Sequence, residues 1–155
     1  MRRLANLLRR TPHQRSLLMA ALGWVVIVRV ALWCLPYGTV RRLTTTRVAP
    51  SPTPPPPRNG RDPLVGSVTA AVRSASRYVP RATCLTQALV AERMLARRGR
   101  VTTLRIGVVR DTTGALEAHA WLEHDGRVVI GDDGDLQRFA LMPSVQEAPR
   151  RRKVT

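Results

Sequence analysis

The stretch RATCLTQALVAERMLARRG, from Arg81 to Gly99, sets Cys84 directly after Thr83 at the head of an apolar periodic run. A threonine there caps a helix, which puts Cys84 in the first turn. Free backbone N–H groups and the helix dipole favour a thiolate at that position. Arg81 adds positive charge nearby in the chain. Such a thiol acts as a nucleophile if a base and a group that orients the base accompany it. The alternative role for Cys84 is that of a small buried hydrophobe. Three histidines are available as the base: His13, His119 and His124. His13 lies in the basic front of the chain and His124 beside a turn. His119 sits mid-run in LEAHAWLEH, between Ala118 and Ala120, which leave room around an imidazole. Its alternative is a polar residue on the solvent face of a strand.

A hairpin count supplies the third residue. Asp125-Gly126 is the favoured two-residue turn between strands. With those two residues as the loop, His124 pairs with Arg127. Counting outward pairs Leu122 with Val129, Ala120 with Gly131 and His119 with Asp132. Directly paired residues share a face with their Cβ atoms ~5 Å apart. Asp132 is therefore expected to orient His119. A β-bulge at Gly131 moves the count by one and makes Asp133 the partner instead.

The elements that must position these residues follow from periodicity. LVGSVTAAVRSASRYV, from Leu64 to Val79, repeats apolar residues at helical spacing and stops at Pro80. A second helix runs from about Cys84 to Arg98, with Leu85, Ala88, Leu89, Met94 and Leu95 on its apolar side and Gly99 as its C-terminal cap. The period then becomes two. Strands are expected over Val101–Val109, Leu116–His124 and Arg127–Asp132, joined by DTTG and by Asp125-Gly126. Two helices followed by an antiparallel meander make an α+β fold.

The rest of the chain is organised around this unit. Residues 1–48 form a basic, apolar helical arm. Residues 49–63, APSPTPPPPRNGRDP, are a proline-rich linker, and 64–145 are the domain carrying the candidate site. Residues 146–155 are a basic tail expected to be disordered. Within the arm, SLLMAALGWVVIVRVALWCLP raises the question of a membrane, since a spanning helix needs ~20 apolar residues. Arg29 interrupts the run and Pro36 closes it. A helix packed on the domain or on a partner is the favoured reading, with membrane contact the alternative.

The formal charge is +16, and Lys153 is the only lysine among 26 basic residues. Residues 1–60 carry ten arginines and no acid, while all ten acids fall between Asp62 and Glu147. That arm suits nucleic acid, anionic lipid or an acidic protein. Stacking aromatics are scarce, at 4% of residues, and no nucleic-acid motif is present, so a nucleic-acid partner is not expected. Two cysteines, Cys34 and Cys84, in dissimilar surroundings suggest a reduced, cytoplasmic protein without a disulfide framework. They show no metal-ligand spacing with the histidines, and neither a metal nor a cofactor is expected.

A helix-start Cys, a strand His and a next-strand Asp, in that order, is the arrangement of papain-like and transglutaminase-like enzymes. The segments RYVPRATCLTQALVAERMLARRG, TLRIGVVRD, HAWLEHDGRVVIGD and RFALMP together resemble the peptidase component of lasso-peptide biosynthesis, a transglutaminase-like cysteine protease. The arginine-spiked apolar arm is similar to that family's as well. The resemblance implies removal of the leader from a ribosomally made precursor peptide. That step frees the amine which a separate, ATP-dependent macrolactam cyclase joins to a side-chain carboxyl. It also implies a leader-recognition protein. Residues 1–48 lack the strand pattern of that module, so the recognition protein is expected to be a separate partner. Carried over residue by residue, Cys84 is the nucleophile, His119 the base and Asp132 the orienting acid. Two other readings stay open on the residues alone: a transglutaminase-like acyltransferase using the same triad, and a non-enzymatic basic binding protein.

Overall fold

The computed structural model describes residues 11–45, 62–110 and 112–142. The tail and all but the last two residues of the proline-rich segment lie outside the described residues. Among the described residues four helices come first: α1 (Pro12–Cys34), α2 (Tyr37–Thr44), α3 (Pro63–Ser76) and α4 (Cys84–Ala96). The strands β1 (Thr103–Arg110), β2 (Leu116–His124), β3 (Arg127–Ile130) and β4 (Ala140–Leu141) follow, with a 3-10 turn at Leu136–Arg138 before β4. They form one antiparallel sheet in the order β3-β2-β1-β4. The α+β reading holds.

α4 is the centre of the helical layer. Ala88, Leu89, Val90 and Ala91 are all fully buried, so the helix is enclosed on most sides and not on a single face. It packs on β2 and against α1 and α3. Sheet residues Leu104, Ala120, Leu122 and Ile130 close the same core from below. α3 stops at Ser76, earlier than Pro80 suggests, and the next residues turn through Arg77–Arg81. Arg81 takes φ 58°, a left-handed conformation uncommon for arginine, three residues before α4 begins.

α1 belongs to this core. Thr11 caps it in a reciprocal box with Gln14, and Pro12 occupies the first turn, where its missing N–H costs nothing. Leu17, Leu18, Ala21, Val25 and Val28 point inward and are each at most 5% exposed. Their partners lie on α3 and α4, so the helices on the two sides of the proline-rich segment share one interior. By length and composition α1 is long and apolar enough to cross a bilayer.

Two ion pairs tie the helical elements to one another. Arg41 of α2 grips Glu92 of α4 with both guanidinium nitrogens, one of them at 3.0 Å, in a nearly buried setting. Burial pushes the Glu92 carboxyl up, and Arg41 opposes that shift. Asp62 caps α3 through the Leu64 N–H at 2.8 Å and also accepts from Arg100 Nε at 2.6 Å, which fastens the start of α3 to the end of the α4–β1 connection.

Candidate active site

Cys84 occupies the place its neighbours dictate. Thr83 is the N-cap of α4, its hydroxyl accepting from the Thr86 N–H, and Cys84 is the first helical residue. The thiol is free and half-buried, packed against the edge of the core. Its backbone N–H is one of the donors that a helix start leaves outside the i→i−4 ladder. Cys34, the other cysteine, is exposed at the end of α1.

His119 is the fourth residue of β2. Ala120 and Leu122 point into the core with α4, so His119 and Trp121 project to the other face. There the imidazole stacks at 5.3 Å on Phe139 and at 6.2 Å on Trp121. Arg138 covers the outer side of Phe139 at 4.6 Å. Opposite His119 on β1 stands Gly107, and its lack of a side chain makes this stack possible. A Cβ at 107 would lie 2.6 Å from Phe139 Cβ and 3.1 Å from the Trp121 ring.

The imidazole is oriented by backbone. His119 Nε2 lies 2.7 Å from the Gly131 carbonyl oxygen. A carbonyl only accepts, so Nε2 carries a proton, and in the neutral ring the lone pair then sits on Nδ1. Gly131 can offer its carbonyl there because it takes φ 83° and has no side chain; a Cβ would come within 2.7 Å of the Ala120 carbonyl oxygen.

The expected pairing of His119 with Asp132 is corrected by the ladder. The Asp125-Gly126 turn forms as expected, with φ 50° and 72°, and His124 pairs with Arg127 and Glu123 with Val128. The ladder then shifts, and Leu122 pairs with Ile130, not Val129. Val129 is the extra residue of a β-bulge, two positions earlier than the bulge at Gly131 that was weighed. β3 ends at Ile130, before either aspartate. Asp132 accepts from the Gly134 N–H at 3.0 Å and shapes the turn that follows. Asp133 is exposed and follows Asp132 in the same turn. Partial desolvation opposes its ionisation, but the Asp135 N–H, the His119 charge and Arg138, 3.5 Å away, together hold it below the usual carboxylate range.

The structure places the three expected site residues at the start of α4, on β2 and in the turn after β3, and does not bring them together. Among the described residues no hydrogen bond joins the Cys84 thiol to His119, and none joins His119 to Asp132 or Asp133. The sequence reading missed the Gly131 carbonyl, Trp121, Phe139 and Gly107. A signal for the first existed: a glycine directly after a β-branched run marks a backbone that bends. The Phe139 contact depends on β4 returning to pair with β1, which a two-residue strand does not announce.

No curated protein and no solved structure matches this chain. The family described as the transglutaminase-like superfamily matches residues 24–144, a span that starts within α1 and takes in Cys84, the sheet and Phe139. The family thus covers the helix that presents the thiol, the strand that presents the imidazole and the second half of α1; over this span, most of its 155 residues, the chain belongs to the transglutaminase-like superfamily.

Proposed function

We propose that this chain is the cysteine peptidase that removes the leader from a ribosomally made lasso-peptide precursor. The observation that carries the reading is a free cysteine as the first residue of a capped helix, inside a transglutaminase-like domain. The strand histidine downstream has its tautomer fixed with the lone pair on Nδ1. The segments around Cys84, His119 and Phe139 that resemble the lasso-peptide peptidases add the substrate class.

The chemistry follows from these groups. Cys84 Sγ attacks the carbonyl at the leader–core junction, after its proton has passed to His119 Nδ1. The Cys84 N–H is placed to donate to the resulting oxyanion. Breakdown of the tetrahedral intermediate breaks the C–N bond, and the imidazolium gives its proton to the departing core amine. The thioester that remains holds the leader, and His119 activates water to release it. Gly131 holds Nε2–H throughout, and on this mechanism Asp133, in place of the expected Asp132, is the carboxylate whose charge favours the imidazolium. Catalytic hydrogen bonds tighten on substrate binding. His119 faces away from the core on which α4 packs, so on this reading binding of the precursor must bring the start of α4 and the His119 face of the sheet together. The partners are the precursor, a separate leader-recognition protein and the ATP-dependent cyclase, and the chain acts in the cytoplasm.

The test is incubation of the purified chain with a synthetic leader–core peptide and the recognition protein, read by mass spectrometry. Leader and core of hydrolytic mass support the reading. A leader joined to an added amine assigns the domain to acyl transfer. Unchanged precursor with the partner present sinks it.

A further inference from the structure

α1 is apolar on two opposite sides, and the core uses only one. Leu17, Ala21, Val25 and Val28 face α3 and α4. Across the helix, Met19, Val26, Ile27, Val30 and Trp33 lie 45 to 75% exposed. At 3.6 residues per turn these five fall within about 120° of arc, a continuous stripe and not scattered positions. An exposed apolar patch of this extent on a soluble face marks a binding surface.

The charge around the stripe selects the occupant. Arg15 stands exposed toward one end and Arg42 beyond the other. Arg29 flanks the stripe with its guanidinium 5.8 Å from the Trp33 ring centroid, and Trp33 is the most exposed large side chain of the set. Residues 1–60 hold ten arginines and no acid. An apolar stripe with Trp at one end and arginines along its rim fits the boundary between acyl chains and anionic headgroups. A second copy of this chain fits poorly, because face-to-face packing would bring two acid-free, arginine-rich arms together. A transmembrane placement would strip Ala21 and Val25, both fully buried, from the core they share with α3 and α4. We propose that α1 docks the protein, lying flat, on an anionic bilayer surface through the stripe Met19, Val26, Ile27, Val30 and Trp33.

The test uses the full chain with vesicles of phosphatidylcholine alone, or of three parts phosphatidylcholine to one part phosphatidylglycerol. Co-sedimentation is expected with the mixed vesicles, falling as salt rises. Ile27→Asp with Val30→Asp should weaken it on the order of 10-fold or more, with an unchanged thermal melt because both positions are exposed. Ile27→Gln with Val30→Gln repeats the test without adding charge. Lipids brominated on the acyl chain should quench the wild-type protein and lose that quenching in Trp33→Ser; Trp121 is buried and Trp24 is packed against the core. Absence of binding at low salt, binding untouched by both double variants, or no quenching that depends on Trp33 would each overturn the proposal. So would a dimer in solution that either double variant dissociates, since the stripe would then belong to a second copy.

Discussion

At the scale of single residues, the candidate site turns on one thiol and on what holds one imidazole. Cys84 is half-buried at a helix start, where alanine packs as well, so Cys84→Ala should melt like the parent while losing cleavage by on the order of 10³-fold or more. Cys34→Ala, at an exposed position, should cleave normally. Alkylation followed by peptide mapping should find Cys84 modified first when precursor is absent and protected when it is present. The two aspartates separate by the same assay. The Gly131 carbonyl, not a carboxylate, accepts from Nε2–H, and in the proposed mechanism Asp133, which is exposed, acts only through space. Screening weakens such a charge, so Asp133→Asn should lower kcat on the order of 10-fold, well short of the loss when a buried triad acid is replaced. Asp132→Asn should cost less, because an asparagine oxygen still accepts from the Gly134 N–H. A loss for Asp132→Asn larger than for Asp133→Asn would restore the pairing that the simple hairpin count suggests.

At the scale of elements, what could be read in the sequence and what could not divide along a physical line. The start of α4 was legible because Thr83 has one low-energy job at that place, and the Asp125-Gly126 turn because few dipeptides accept two positive φ angles in succession. The bulge was not legible. Val128, Val129 and Ile130 are all apolar and β-branched, so nothing in their chemistry says which one drops out of the ladder. That single residue moved the register and separated His119 from its expected partner. Glu92 was hidden for a different reason. A lone carboxylate on α4 carries no sign of its partner in the local sequence; α2 folds over it and brings Arg41, 51 residues earlier in the chain. Removing one member of a pair so nearly buried leaves an uncompensated charge and costs ~3–5 kcal/mol. Glu92→Ala should therefore lower the midpoint of a urea melt sharply, whereas Glu92→Leu combined with Arg41→Met should recover most of the loss. The carboxyl also sets a pH trend. Burial raises its pKa in the folded state, so its contribution to stability is fully present below its unfolded value and is lost as pH rises through the raised one. Asp62 runs the other way. Burial opposes ionisation, but Arg100 and the Leu64 N–H hold it below its ordinary value, so its contribution is present at neutral pH and disappears as pH falls into the acid range. Urea melts across acid pH should show Asp62→Asn flattening the acid limb and Glu92→Gln leaving that limb in place.

At the scale of the whole molecule, the question is what the folding unit contains. Composition divides the chain at the proline-rich segment, which suggests that residues 64–145 stand alone behind an arm. The interior crosses that segment. Leu17, Leu18, Val25 and Val28 are buried against α3 and α4, and burying such side chains contributes about 1.5–3 kcal/mol each, on the order of 6–12 kcal/mol together. That is comparable to the whole stability of an ordinary domain, about 5–15 kcal/mol. Sequence patterning favoured a packed helix but left open whether the domain or a partner covered it, because α1 is apolar on both sides and no polar face pointed to where the domain lay. A chain beginning at Pro63 would expose Val65, Val68 and Val72 along α3 and the upper side of α4, and would lose the Arg41 partner of Glu92. It should be recovered as an aggregate or as a compact state with helical circular dichroism, dye-accessible apolar surface and no cooperative melt. Supplying residues 11–45 as a separate peptide should restore a cooperative transition, because the missing interior would be returned without the covalent link. A sharp, two-state melt of residues 63–145 alone, at a temperature near that of the full chain, would show instead that α1 decorates a domain already complete.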